Sequence, residues 1–98
     1  MKTLRERFEE QDPDGNEFLK FDRVEHKLNR RPDLHAFLLL DSIVPGNRDI
    51  IGGASHEVIF IGIDEEELNT IISDEQIRDL RRCGIFYSEE FDCLASFV

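Results

Sequence analysis

Apolar residues recur at helical spacing through the first half of the chain and predict three helices. The first is short and covers about residues 3–11, the second covers about 17–30, and the third covers about 32–43. Pro32 separates the last two, because proline restricts the residue before it and suits the first turn of a helix. The third helix is apolar on nearly all sides, so we expect it to be the central core helix or an oligomer contact.

The second half of the chain alternates β-branched runs with helical signals. The run at 56–63 predicts a buried strand, and the acidic residues after it begin a helical turn. The sequence Ser73-Asp74-Glu75-Gln76 is a capping box, and we expect the helix that it begins to stop at Gly84. Two further strands are predicted over 85–87 and 92–98. The glycine-containing stretch before the first strand is open between a loop and a short irregular element.

These elements predict a single α+β domain over residues 1–98, because a chain of 98 residues forms one domain. In order α-α-α-β-α-β-β, N-terminal helices would pack with a small, mainly antiparallel, three-stranded sheet. The last strand is apolar, and we expect it at an edge, where such a strand tends to pair or be covered. A homodimer through this strand or through the leucine-rich third helix is therefore one expectation.

The net charge of −10 is concentrated in the later part of the chain. Residues 1–35 hold eight basic and nine acidic side chains, whereas residues 36–98 hold four basic and thirteen acidic ones. A negative field disfavours direct binding to nucleic acid and favours a basic protein partner, although acidity can also serve solubility alone. The candidate partner-binding residues are Asp64, Glu65, Glu66, Glu67, Asp74, Glu75, Asp79, Glu89 and Glu90.

No apolar run is long enough for a membrane span, and the N-terminus lacks the apolar core of a signal peptide, so we expect a cytoplasmic protein. No residue set indicates an enzyme or a cofactor site. Cys83 and Cys93 lack a nucleophile motif, and their expected state is reduced and partly buried. Basic residues on one face of the second predicted helix are more typical of a solvated face than of a nucleic-acid site. They are Lys20, Arg23, Lys27, Arg30 and Arg31.

Residues 12–23 resemble the calcium loop of an EF-hand. Asp12, Asp14 and Asn16 stand at loop positions 1, 3 and 5, where side-chain oxygens bind the ion. The pattern departs from the family at position 6, where Glu17 replaces the glycine of a sharp turn, and at position 12, where Arg23 replaces a bidentate glutamate. Asp12, Asp14 and Asn16 are therefore weak metal candidates, and an ordinary turn between two helices is the favoured interpretation.

The C-terminal half resembles small acidic proteins encoded by bacteriophages and prophages. The resemblance rests on the strand at 57–63, on Cys83-Gly84-Ile85-Phe86-Tyr87 and on the segment 92–98. It carries no established activity, but it favours a regulatory or host-interaction role. The sequence therefore predicts a non-enzymatic interaction protein that binds a basic partner. The alternative is a divalent-cation-binding module with a degenerate EF-hand-like loop.

Overall fold

The computed structural model describes residues 2–97, and within them it confirms the α+β class. Four α-helices, one short 3₁₀ helix and one four-stranded antiparallel sheet make up the fold. The helices are α1 (Leu4–Gln11), α2 (Pro32–Ile43), α3 (Glu65–Ile71) and α4 (Asp74–Arg82), with the 3₁₀ helix at Phe21–Arg23. The strands are β1 (Ile51–Ser55), β2 (Val58–Ile61), β3 (Ile85–Ser88) and β4 (Cys93–Phe97).

The sheet has one strand more than the sequence predicted, and its strands lie in the order β1-β2-β4-β3. The added strand is β1, which falls in the stretch that sequence reasoning left open. The strand was not predicted because it contains two glycines. Gly52 nevertheless allows the close approach of β1 to Gly62, since a Cβ at residue 52 would lie 3.0 Å from the Cα of Gly62. The predicted edge position of the last strand is wrong, because β4 pairs with β2 on one side and β3 on the other. The predicted final residue, Val98, lies outside the described residues.

The predicted helix over residues 17–30 does not form, so the predicted order of elements is wrong at this point. The order is also wrong after β2, where two helices, α3 and α4, stand in place of the single predicted one. Leu19 adopts a positive φ of 63°, and its N–H donates to the carbonyl of Arg81 rather than to a neighbouring turn. The apolar residues of this segment contact different parts of the protein. Phe18 packs against Phe86, whereas Val24 is buried. Tertiary contacts of single residues thus replace the shared face of a helix.

Local signals at the helix ends account for α1 and α4. Thr3 and Glu6 form a reciprocal capping box at the start of α1, and Ser73 and Gln76 form one at the start of α4. Gly84 follows the last residues of α4 with a φ of 93°, as the sequence predicted for a helix stop. These ends depend on residues within a few positions of one another, so the sequence specifies them locally.

The core lies between the helices and one face of the sheet. Among its most deeply buried side chains are Leu40, Leu68, Ile77, Leu80 and Ile85. α2 contributes one face to it, whereas Leu34 and Leu38 of the same helix are exposed. No helix within residues 2–97 is long and apolar enough to cross a membrane.

Candidate functional site

Arginines of the same chain neutralise three of the nine predicted partner-binding residues. Asp74 lies 3.1 Å from Arg7, and Glu89 lies 2.8 Å from Arg5. Asp79 lies 3.1 Å from an arginine one turn along its own helix. These carboxylates hold α1 against the later elements or support α4, so they are less available to a partner than the sequence suggested.

A cleft of about 710 Å³ is lined by acidic residues that have no such arginine partner. Six carboxylates line it, and Arg48 is the single basic residue among its lining side chains. We call it the acidic cleft, defined by Asp41, Asp49, Asp64, Glu65, Glu67 and Asp92. Within residues 2–97, none of the six lies within ion-pair distance of a basic side chain. Within the described residues, the cleft therefore carries six carboxylates against one arginine, and no ion pair joins them.

The topology of the sheet explains why these residues meet. In an antiparallel sheet the end of β2 lies beside the starts of its two neighbours, β1 and β4. Asp49 precedes β1, Asp64 follows β2 and Asp92 precedes β4, so all three lie at one end of the sheet. Asp41 joins them from the last turn of α2. The floor between them is apolar, with Val44, Pro45, Ile50, Ile61 and Ile63 among its residues.

Sequence reasoning found three of the six carboxylates and missed Asp41, Asp49 and Asp92. The signal that could have found the last two is their position directly beside strands. It could not be used without β1 and the strand order, and neither was predicted. Asp64 itself has a local task, because its Oδ1 accepts the N–H of Glu67 at 3.1 Å and caps α3.

Glu65 is the least exposed of the six carboxylates of the acidic cleft. Its Oε2 accepts a hydrogen bond of 3.1 Å from the Tyr87 hydroxyl, whereas its Oε1 is shielded from solvent and has no hydrogen-bond partner within residues 2–97. Burial, together with the hydrogen bond to this carboxylate, raises the pKa of Tyr87 to about 12. Burial and then the charges of Glu65 and Asp92 raise the pKa of Cys93. The surroundings of the Glu65 carboxylate are thus anionic and partly desolvated.

The remaining predicted residues lie apart from the cleft. Glu66 is exposed on α3, Glu75 is exposed in the first turn of α4, and Glu90 is exposed in the turn between β3 and β4. The structure therefore does not bring the nine predicted residues into one patch. It brings three of them together with three others.

The loop that resembles an EF-hand uses its first candidate ligand for structure. Asp12 is buried, and its Oδ2 accepts hydrogen bonds from Arg81 at 3.0 Å, while its Oδ1 accepts the N–H of Glu17. Asp14 and Asn16 are exposed. Within the described residues no three His, Cys, Asp or Glu side chains are grouped as a metal site. The cation-binding alternative remains a prediction from the sequence.

Glu17 and Arg23, which stand where the EF-hand pattern needs glycine and glutamate, pair with each other at 2.6 Å. Burial would raise the pKa of Glu17, but hydrogen bonds from Arg82 and Arg23 outweigh it and lower that pKa. The predicted basic stripe does not form, because the residues that carry it do not form an α-helix. Lys27, for example, donates to the carbonyl of Val24 at 2.8 Å.

The thiols lie in surroundings that suppress their ionisation. Burial, with a smaller contribution from Asp79, raises the pKa of Cys83 to about 12. His35 is buried, and its Nδ1 accepts the N–H of Leu28 at 3.0 Å. Burial lowers the pKa of His35, so this ring is held neutral as a structural hydrogen-bond acceptor.

Comparison with known proteins adds no assignment to this geometry. No protein-family model, no curated protein and no solved structure matches the chain. The resemblances to phage-encoded proteins and to the EF-hand loop therefore remain predictions from the sequence.

Proposed function

We propose that the protein is a non-enzymatic interaction module that binds a basic segment of a partner protein in the acidic cleft. The observation that carries this proposal is the convergence of six carboxylates on one cleft. Several carboxylates elsewhere on the surface are paired with arginines, whereas all six in the cleft have no ion-pair partner within the described residues. A partner with lysine or arginine side chains would supply the missing charge.

The chemistry of the lining also limits the kind of partner. The carboxylates surround an apolar floor that includes Ile61 and Ile63, so a segment with alternating basic and apolar side chains fits better than a uniformly charged one.

The proposal is tested with a synthetic peptide of alternating lysine and leucine residues, titrated into the protein by calorimetry. The double variant Asp49→Lys with Glu67→Lys reverses two exposed charges of the cleft. We expect about tenfold weaker binding, since each exposed ion pair contributes roughly 0.2–1 kcal/mol and reversal replaces attraction by repulsion.

The matched control is Glu75→Lys with Glu90→Lys, which changes the net charge equally at exposed positions outside the cleft. We expect this control to bind the lysine–leucine peptide nearly as well as the wild type does. A peptide of alternating glutamate and leucine should not bind. Equal losses in the two double variants would show that net charge alone attracts the peptide and would refute a specific cleft.

A further inference from the structure

The strands of the sheet have the composition of strands that are covered on both faces. None of their 18 residues is charged, although 35% of the chain is. An antiparallel sheet with one face in water normally alternates apolar and polar residues along each strand. Here both alternating sets are apolar or small, so the sequence of the strands favours a cover on the second face as well.

The pairing register assigns each strand residue to a face, because directly paired residues project to the same side. Ile61, Ile85 and Leu94 lie on the face that packs into the core beneath the helices. Ala95 pairs with Phe60 on one side and Phe86 on the other, and lies on the opposite face. We call this the aromatic face, defined by Val58, Phe60, Phe86, Ala95 and Phe97. None of these five belongs to the core cluster of the described residues.

The rings of the aromatic face pack against one another and against rings from flanking loops. Phe86 stacks on Phe97 with ring centroids 4.6 Å apart, and Phe60 lies 4.6 Å from Phe91 of the turn between β3 and β4. Ala95 is fully buried beneath them, but Phe97 remains 62% exposed and Phe91 50% exposed. The result is an apolar surface on the face of the sheet opposite the core, and Phe18 covers part of it by packing against Phe86. Such patches mark interaction sites.

We propose that the aromatic face of a second copy of this chain covers it, in a two-fold symmetric pair of sheets. Two chains of net charge −10 repel when charged surfaces meet, and this face lets them meet without a charged strand residue. A two-fold contact places the same patch on both partners, and facing sheets pack about 10 Å apart. Nucleic acid could stack on the rings, but it needs cations that the strands do not carry.

The area of the face places this dimer at the weak end of specific interfaces. Four strands about 4.8 Å apart and about 15 Å long give a footprint of roughly 300 Å². The protruding rings of Phe91 and Phe97 add roughly 200 Å². The pair would therefore bury roughly 1,000 Å² in total, at the lower limit for a specific interface. We expect a reversible dimer whose population rises with concentration in roughly the micromolar range. It differs from the contacts that the sequence suggested, because it uses neither a strand edge nor the leucine-rich α2.

Sedimentation velocity from low micromolar to submillimolar concentration tests the dimer. The wild-type protein should shift from monomer to dimer, and Phe97→Asp, which places a carboxylate on each copy at the contact, should remain monomeric. Leu38→Asp is the matched control, since Leu38 is a comparably exposed apolar residue on α2. It should dimerise like the wild type.

Ser55→Glu keeps the test decisive if Phe97→Asp fails to fold. Ser55 pairs with Val58 and lies on the same side of the sheet, and its replacement removes no ring. Circular dichroism establishes that each variant is folded, and a folded Ser55→Glu protein should be monomeric. A wild-type protein that stays monomeric throughout would overturn the proposal. So would a dimer that Leu38→Asp abolishes and Ser55→Glu leaves intact.

Discussion

Replacing Asp12 separates the two interpretations of the loop that resembles an EF-hand. Its side chain is 2% exposed, and its carboxylate binds the guanidinium of Arg81, which is 16% exposed. The variant Asp12→Ala leaves that charge without its partner in a largely dry site and also leaves the N–H of Glu17 without its acceptor. Breaking a buried pair on one side costs about 3 kcal/mol or more. For a domain of this size that corresponds to a fall in Tm of roughly 15 °C.

Urea unfolding followed by circular dichroism measures this loss, with Asp14→Ala as the matched control. Asp14 belongs to the same loop and is exposed, so its removal should change the free energy of unfolding by less than about 0.5 kcal/mol. Both measurements are repeated with calcium. If calcium stabilises the wild type and Asp14→Ala removes that effect, the loop binds the ion. If the free energy of unfolding of Asp12→Ala lies within about 0.5 kcal/mol of the wild-type value, the loss is no larger than that of a surface substitution. The structural role assigned to this carboxylate would then be wrong.

Three further predictions concern stability. The pKa of Glu17 is lowered in the folded protein, so its contribution to stability is present above the pKa of glutamate in the unfolded chain, about 4.3, and is lost as pH falls. The free energy of unfolding in urea should therefore depend less on pH in the acid range for Glu17→Gln than for the wild type. The pKa of His35 is also lowered, so stability should decline as pH falls below about 6.5, with loss of hydrogen-exchange protection at the Leu28 amide. Gly84→Ala should cost about 1 kcal/mol or more in urea unfolding, because φ is 93° and the added Cβ would lie 2.8 Å from Leu19.

The parts of the fold that could be predicted from sequence are those with local causes. Both capping boxes, the start of α2 at Pro32 and the stop at Gly84 depend on a few neighbouring residues. The apolar runs that became β2, β3 and β4 also carry their signal within four or five residues. The elements bounded by Ser73, Pro32 and Gly84 were predicted close to their observed bounds, whereas the capping box at Thr3 was not recognised from the sequence.

The failures have distant causes. The periodicity at 17–30 predicts a helix, but its residues are held by partners far along the chain, such as Arg81 for Leu19 and Phe86 for Phe18. β1 contains two glycines, which disfavour a strand in isolation. The strand forms because it pairs with β2, and Gly52 allows the close approach to Gly62. Three of the six carboxylates of the acidic cleft were missed for the same reason, because the strand order that brings them together could not be predicted from the sequence.

The acidic cleft and the aromatic face should respond to salt in opposite directions, which allows one pair of experiments to test both proposals independently. Salt screens the attraction between the cleft and a lysine-rich peptide, so binding should weaken steeply as ionic strength rises. The same salt screens the repulsion between two chains of net charge −10, so the dimer should strengthen. Calorimetry with the lysine–leucine peptide and sedimentation of the protein alone, each at low and high ionic strength, measure how peptide affinity and dimer affinity depend on salt.

A dimer that salt dissociates would mean that ion pairs hold the copies together, and a charge-free sheet face would then be the wrong contact. Peptide binding that salt leaves unchanged would instead argue against the carboxylates of the cleft and leave the dimer untouched.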